Sequence, residues 1–101
     1  MELHLILKFK WFDLIESGIK TEEYRDMSNY YFRKFYCRKF GFPTTYNFFN
    51  NYREVVFHRG YSQRICKYKI KSFSVGIGKT EWGAPPNKQV FIIKLGKKIP
   101  C

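Results

Sequence analysis

Gly18-Ile19-Lys20-Thr21-Glu22-Glu23-Tyr24-Arg25 lies between a helical pattern and an extended one, and its reading decides the architecture. As a strand it alternates faces, with Thr21, Glu23 and Arg25 on one side and Glu22 and Tyr24 on the other. Neither face is apolar. A strand of a small domain normally turns one apolar face to the core, so two polar faces suggest that one lines a cleft, with Tyr24 as the buried member. An edge strand with solvated charges fits the same residues. Lys20 falls in the preceding turn, where strand periodicity does not fix its direction, and it is free to converge on Glu23.

Upstream, Leu3, Leu5, Leu7 and Phe9 alternate with His4, Ile6, Lys8 and Lys10, the period-two pattern of a strand with one buried face. Trp11, Leu14 and Ile15 then recur at helical spacing, and Gly18 stands where a left-handed cap would end a helix of about two turns. Downstream, Asp26 and Ser28 are candidate caps for a second helix carrying Phe32, Phe35, Tyr36 and Phe40, with Arg33, Lys34 and Arg38 on its other side and Gly41 and Pro43 as its stop. Thr44 to Tyr52 holds Tyr46, Phe48, Phe49 and Tyr52, expected mainly to pack as a lid, with one or two rings left to stack on a ligand as the alternative.

Val55-Val56-Phe57 reads as a central strand ending in His58-Arg59-Gly60-Tyr61. Arg59 and Tyr61 either present a cation and a ring to a ligand or serve structurally. His58 has no second imidazole near it in sequence, and no metal site is expected. From Cys66 the inward parity is Cys66, Tyr68 and Ile70, then switches to Phe73, Val75 and Ile77, which requires a bulge or corner near Lys71 and Ser72. Lys67, Lys69 and Lys71 then form an outward basic ladder, either solvated or tracking phosphates. Gly76 and Gly78 lack the third glycine and following helix of a dinucleotide fingerprint, so bending or close approach is their expected role. Glu81 to Pro86 forms a rigid turn whose Trp82 caps the cleft or the core, and Val90 to Leu95 supplies a final strand buried on both faces.

One domain of α+β class is therefore expected over residues 1–101, with about six strands and two or three short helices. No apolar run is long enough to span a membrane, and the opening segment carries Glu2, Lys8 and Lys10, unlike a secretory leader. A soluble, cytoplasmic monomer is the expectation. Three widely spaced cysteines, Cys37, Cys66 and Cys101, suit reduced thiols better than a disulfide framework or a zinc knuckle, and no cofactor is expected. With 19 Lys and Arg against 8 Asp and Glu, the formal net charge of +11 points to a polyanionic partner. Aromatic residues at 21% add rings able to stack on bases, although rings also fill cores and a basic surface also serves solubility.

The opening stretch resembles the G-x-K-x-x-E-x-R signature of ASCH domains, relatives of the PUA domain, with Gly18, Lys20, Glu23 and Arg25 at the specified positions. Leu5 to Ile15, Phe57 to Tyr61 and Gly76 to Gly83 are similar to segments of small phage-type ASCH-like proteins, while the stretch from about Ser28 to Tyr52 matches poorly. The resemblance implies a small PUA-like mixed β-barrel whose motif lines a cleft for RNA, single-stranded nucleic acid or a modified nucleoside, and a host-cytoplasm location if phage-encoded. Lys20 would supply a cation, Glu23 an acceptor for a base edge, and Arg25 an anion contact or the partner holding Glu23; a structural Glu23 and Arg25 pair is the alternative. Arg59, Tyr61 and Trp82 are the planes available to a base, and Lys8, Lys10, Arg33, Lys67 and Lys69 the expected phosphate contacts. A second reading is an ASCH-type hydrolase of modified nucleosides or a metal-independent ribonuclease using Lys20, Thr21 and Glu23. Here the sequence departs from the hydrolase pattern, because Glu23 occupies the position of the nucleophilic Thr and Thr21 stands two residues earlier. A third reading is a basic adaptor that binds an acidic protein.

Overall fold

A computed structural model describes residues 2–35 and 52–100. Its elements in chain order are strand β1 (Glu2–Leu7), helix α1 (Phe9–Glu16), strand β2 (Glu22–Arg25), helix α2 (Asn29–Phe35), strands β3 (Glu54–Arg59) and β4 (Ile65–Ile77), a 3-10 turn (Thr80–Trp82) and strand β5 (Gln89–Ile99). The five strands form one mixed sheet in the order β1-β3-β4-β5-β2. Among the described strands only β1 and β3 pair in parallel, and the sheet curls as a half barrel of α+β class.

The described residues hold five strands where about six are expected, and the bend anticipated near Lys71 and Ser72 falls within one continuous strand, Ile65–Ile77. The parity switch is present, carried by two register shifts against β5, between Tyr68 and Ile70 and between Ile70 and Ser72. A bulge re-aims side chains without ending the ladder, so Cys66 and Tyr68 face the core before it and Phe73 after it. Ile77, expected inward, is exposed at the strand end.

The alternation in β1 holds from Glu2 to Leu7, with Leu3, Leu5 and Leu7 buried and Glu2, His4 and Ile6 exposed, but Phe9, expected on the buried face, instead begins α1 and is exposed. In α1 the fully buried pair is Phe12 and Ile15, while Trp11 and Leu14 are half-buried, so the inward stripe sits a little round from the anticipated one. Gly18, at φ 86°, closes the helix in the left-handed region, where a side chain would be strained, and its N–H donates to the Ile15 carbonyl at 3.0 Å. The Lys20 N–H returns to the Leu14 carbonyl at 3.0 Å, and the Tyr68 hydroxyl donates to the Ile15 carbonyl at 3.0 Å, so the helix end is tied both to the turn and to β4. Ser28 caps α2 by accepting the Tyr31 N–H at 3.3 Å. The proposed continuation of that helix through Tyr36 and Phe40, and the aromatic stretch from Thr44 as far as Asn51, lie outside the described residues.

The core is aromatic at its centre. Phe35 packs between Phe73 and Phe91, with both ring centroids at 5.2 Å, and Tyr31 stacks on Phe35 at 5.5 Å. Val55, Val56 and Phe57 are all buried, as befits the inner position of β3, and β5 buries Val90, Phe91 and Ile93 between its two neighbours.

Candidate functional site

Lys20, Glu23 and Arg25 converge, in a setting unlike the one their polarity suggests. The inward residue of β2 is Glu23 rather than Tyr24: Glu23 is 6% and Lys20 1% exposed, while Tyr24 is half-buried. The cause is the turn after Gly18, which swings the Lys20 side chain under the sheet, so the two buried charges satisfy one another. Lys20 Nζ lies 3.3 Å from Glu23 Oε1 and donates to the Trp82 carbonyl at 2.7 Å. Two rings flank the ammonium, Tyr24 at 4.7 Å and Trp11 at 5.4 Å from their centroids. Each ring rests against a glycine. A side chain built on Gly78 would meet the Tyr24 ring at 2.7 Å, and one on Gly83 would meet Trp11 at 3.0 Å.

The other carboxylate oxygen, Glu23 Oε2, accepts from Arg25 Nε at 3.0 Å and lies 2.8 Å from Nη2. Arg25 then reaches further, donating from Nη1 to the Tyr31 hydroxyl at 2.9 Å and from Nη2 to the Ile6 carbonyl at 3.0 Å. Since β1 and β2 are the two edges of the sheet, this guanidinium spans the seam that the half barrel leaves open. Among the described residues no buried side-chain nitrogen or oxygen lacks a hydrogen-bond partner, so the buried charges of the cluster are satisfied from within the protein.

Burial pulls the Lys20 ammonium below its ordinary pKa, with the Glu23 carboxylate opposing the shift. The Tyr24 phenol moves well above its ordinary value, chiefly through burial. Its hydroxyl donates to Glu22 Oε1 at 2.7 Å and accepts the Lys79 N–H at 3.1 Å.

The other anticipated residues are dispersed. Thr21 is exposed, and no described hydrogen bond links it to the Lys20 amine, which is occupied by Glu23 and Trp82. Arg59 is held by Asp13, with Nε to Oδ1 at 2.9 Å and Nη2 to Oδ2 at 3.0 Å, and lies over the Phe9 ring at 4.1 Å; this bidentate grip holds the Asp13 carboxyl below its usual range. Its partner in the expectation, Tyr61, is 96% exposed in the following turn. Trp82 joins the cluster through its backbone carbonyl, while its ring lies under Lys79 at 4.3 Å. Lys67 is not part of a free ladder, because it bridges Glu2 and Glu54, the latter at 3.4 Å. Lys8, Lys10, Arg33, Lys69 and Lys71 are exposed.

Two features escaped the sequence. His4 and His58, far apart in the chain, sit side by side through the parallel register of β1 and β3, with His4 Nδ1 2.9 Å from His58 Nε2. Among the described residues no group of three or more potential metal ligands gathers there or elsewhere. The second feature is a groove of about 560 Å³ lined by Tyr52, Arg53, Glu54, Lys69, Ile70, Lys71 and Ser72, at the bulged part of β4 and sharing no residue with the Lys20 cluster. The odd spacing of inward residues marked the bulge, though not the hollow beside it. A further concavity of about 440 Å³ is lined by Tyr30, Arg33 and Lys34 on α2.

No described helix is long and apolar enough to cross a membrane. Comparison of the chain with protein-family models, curated proteins and solved structures finds no match in any of the three.

Proposed function

We propose that this chain is a binding module for RNA or single-stranded nucleic acid, built on an ASCH-like, PUA-related fold and working as a cytoplasmic monomer. The observation that carries the reading is where the negative charge goes. Six of the eight carboxylates, those of Glu2, Asp13, Glu16, Glu23, Asp26 and Glu54, are in ion pairs, and Glu22 is taken by the Tyr24 hydroxyl. The intramolecular pairs thus absorb the acids and leave the excess cations outside. Among the described residues Lys8, Lys10, Arg33, Arg53, Lys69, Lys71, Lys94, Lys97 and Lys98 are exposed and form no ion pair. Such a surface attracts a polyphosphate chain and releases its counterions.

The hydrolase reading draws no support from the position of Thr21, and the signature residues have a sufficient structural role in joining the sheet edges. The test is a fluorescence-anisotropy titration of a labelled single-stranded RNA at increasing salt. Log affinity should fall linearly with log salt, by about 0.7 per phosphate contacted. Absence of binding at low salt, or an affinity indifferent to salt, overturns the proposal.

A further inference from the structure

We infer that the nucleic-acid strand is held at the bulged β4/β5 ladder, in the groove floored by Ile70 and walled by Tyr52, Arg53, Lys69 and Lys71, and not at the Lys20–Glu23–Arg25 motif. This assignment rests on the nucleic-acid reading above and gives it a location. The groove is a product of the pairing. Between Tyr68 and Ile70 the extra residue belongs to β5, and between Ile70 and Ser72 it belongs to β4, so two bulges follow one another along the same pair of strands. Consecutive bulges bend and twist a ladder, and the hollow lies beside this bend. The Ile70 N–H turns to the Arg53 carbonyl at 2.9 Å, which fixes the segment entering β3 against the bulge.

On the opposite strand the bulge contains Gly96. A Cβ there would lie 3.2 Å from the Lys69 carbonyl and 3.7 Å from the Cβ atoms of both Lys69 and Lys71, so these two lysines flank a position without a side chain. The hollow falls within the roughly 300–1,000 Å³ range of small-ligand sites, enough for one nucleotide with its phosphate. Its one carboxylate, Glu54, is engaged by Lys67, whereas Arg53, Lys69 and Lys71 form no ion pair among the described residues. Lys94, in register with Ser72, and the exposed Lys97 prolong the positive surface along β5. Half-buried Tyr52 packs against the core and offers the groove a ring fixed from behind. Unpaired cations at strand spacing beside an anchored ring match an alternating phosphate and base chain, which places phosphates on the lysines and a base against Tyr52.

The test compares wild type, Lys69→Ala/Lys71→Ala and, as a control that does not line the groove, Lys88→Ala in the same anisotropy titration with a labelled oligouridine, each checked for folding by circular dichroism. The double variant should lose at least tenfold in affinity, and its salt slope should shrink by about 1.4, two contacts at about 0.7 each. Lys88→Ala, whose ammonium lies 3.0 Å from Asp26, should bind as wild type does. Wild-type binding that Lys69→Ala/Lys71→Ala leaves intact overturns this location while sparing the broader reading; no wild-type binding at low salt overturns both. Equal displacement of the probe by polyglutamate and by unlabelled oligouridine, at matched charge, would show a generic polyanion surface and likewise overturn the assignment.

Discussion

Arg25 on one edge strand donates to the Ile6 carbonyl on the other at 3.0 Å, so a side chain does at this seam what a ladder of backbone bonds would do in a closed barrel. The same guanidinium holds Glu23 and the Tyr31 hydroxyl, coupling both sheet edges to α2. The fork geometry matters as much as the charge. Arg25→Lys should therefore destabilise the fold by about 2–4 kcal/mol, towards the cost of breaking a buried pair, since an ammonium cannot serve three partners in three directions. Urea denaturation measures this; a midpoint equal to that of wild type would remove the seam role.

Glu23→Gln preserves shape and removes the charge that satisfies Lys20 and Arg25 together. Stranding a buried ammonium costs about 3–5 kcal/mol. Adding Lys20→Met to Glu23→Gln should recover a substantial part of the loss, because the uncompensated charge is then gone. A double variant no more stable than Glu23→Gln alone would contradict the coupling. With the strand bound at the β4/β5 groove, the folded single variant should also keep its affinity for oligouridine.

Lys20 links stability to alkaline pH. Its folded pKa is lowered by burial from the ordinary 10.5, so between the two values the unfolded chain binds the extra proton. Unfolding free energy then rises with pH through this window, the reverse of a lysine stabilised by its partner. Relative to Lys20→Met, which carries no such proton, wild type should gain stability as pH is raised from neutrality towards 10.5. A difference between the two that stays flat over this range would show that the Glu23 carboxylate offsets the effect of burial in full.

Gly78→Ala probes the wall of the same cluster. The added methyl would lie 2.7 Å from both the Ala84 Cβ and the Tyr24 ring, so one of them must move. Overpacking of this kind costs about 1–3 kcal/mol, and displacement of the ring should bring the phenol back towards its ordinary ionisation. Thermal melting and an ultraviolet titration of tyrosinate read the two effects; a variant as stable as wild type would show slack that the structure does not contain.

Periodicity sufficed where one face of an element meets the core. Leu3, Leu5 and Leu7, the Gly18 cap, the inner strand at Val55 and the parity switch after Ile70 are legible because each is a local response to one boundary between apolar core and water. Of the site, the convergence of Lys20 on Glu23 and the pairing of Glu23 with Arg25 were legible as alternatives, but their burial was not. Lys20 and Glu23 look like surface residues, and nothing local reveals that each makes the burial of the other tolerable, or that a backbone carbonyl at Trp82 completes the shell. Arg59 and Tyr61 are neighbours in the chain whose fates diverge, since Asp13 on α1 captures one and the turn leaves the other in water. Glu2 and Glu54 in the same way turn Lys67 from a member of a basic row into a bridge.

The strand order carries a consequence for how the molecule is made. Among the described strands β2 pairs only with β5, Glu22 against Lys94 and Arg25 against Phe91, so a ribosome must deliver nearly the whole described chain before the motif strand finds this neighbour. Until then the growing polypeptide holds two charged residues destined for the interior with no interior to receive them. Such distant pairing slows folding, and it gives the nascent chain a vulnerable interval during which its aromatic segments are open to chaperones and proteases.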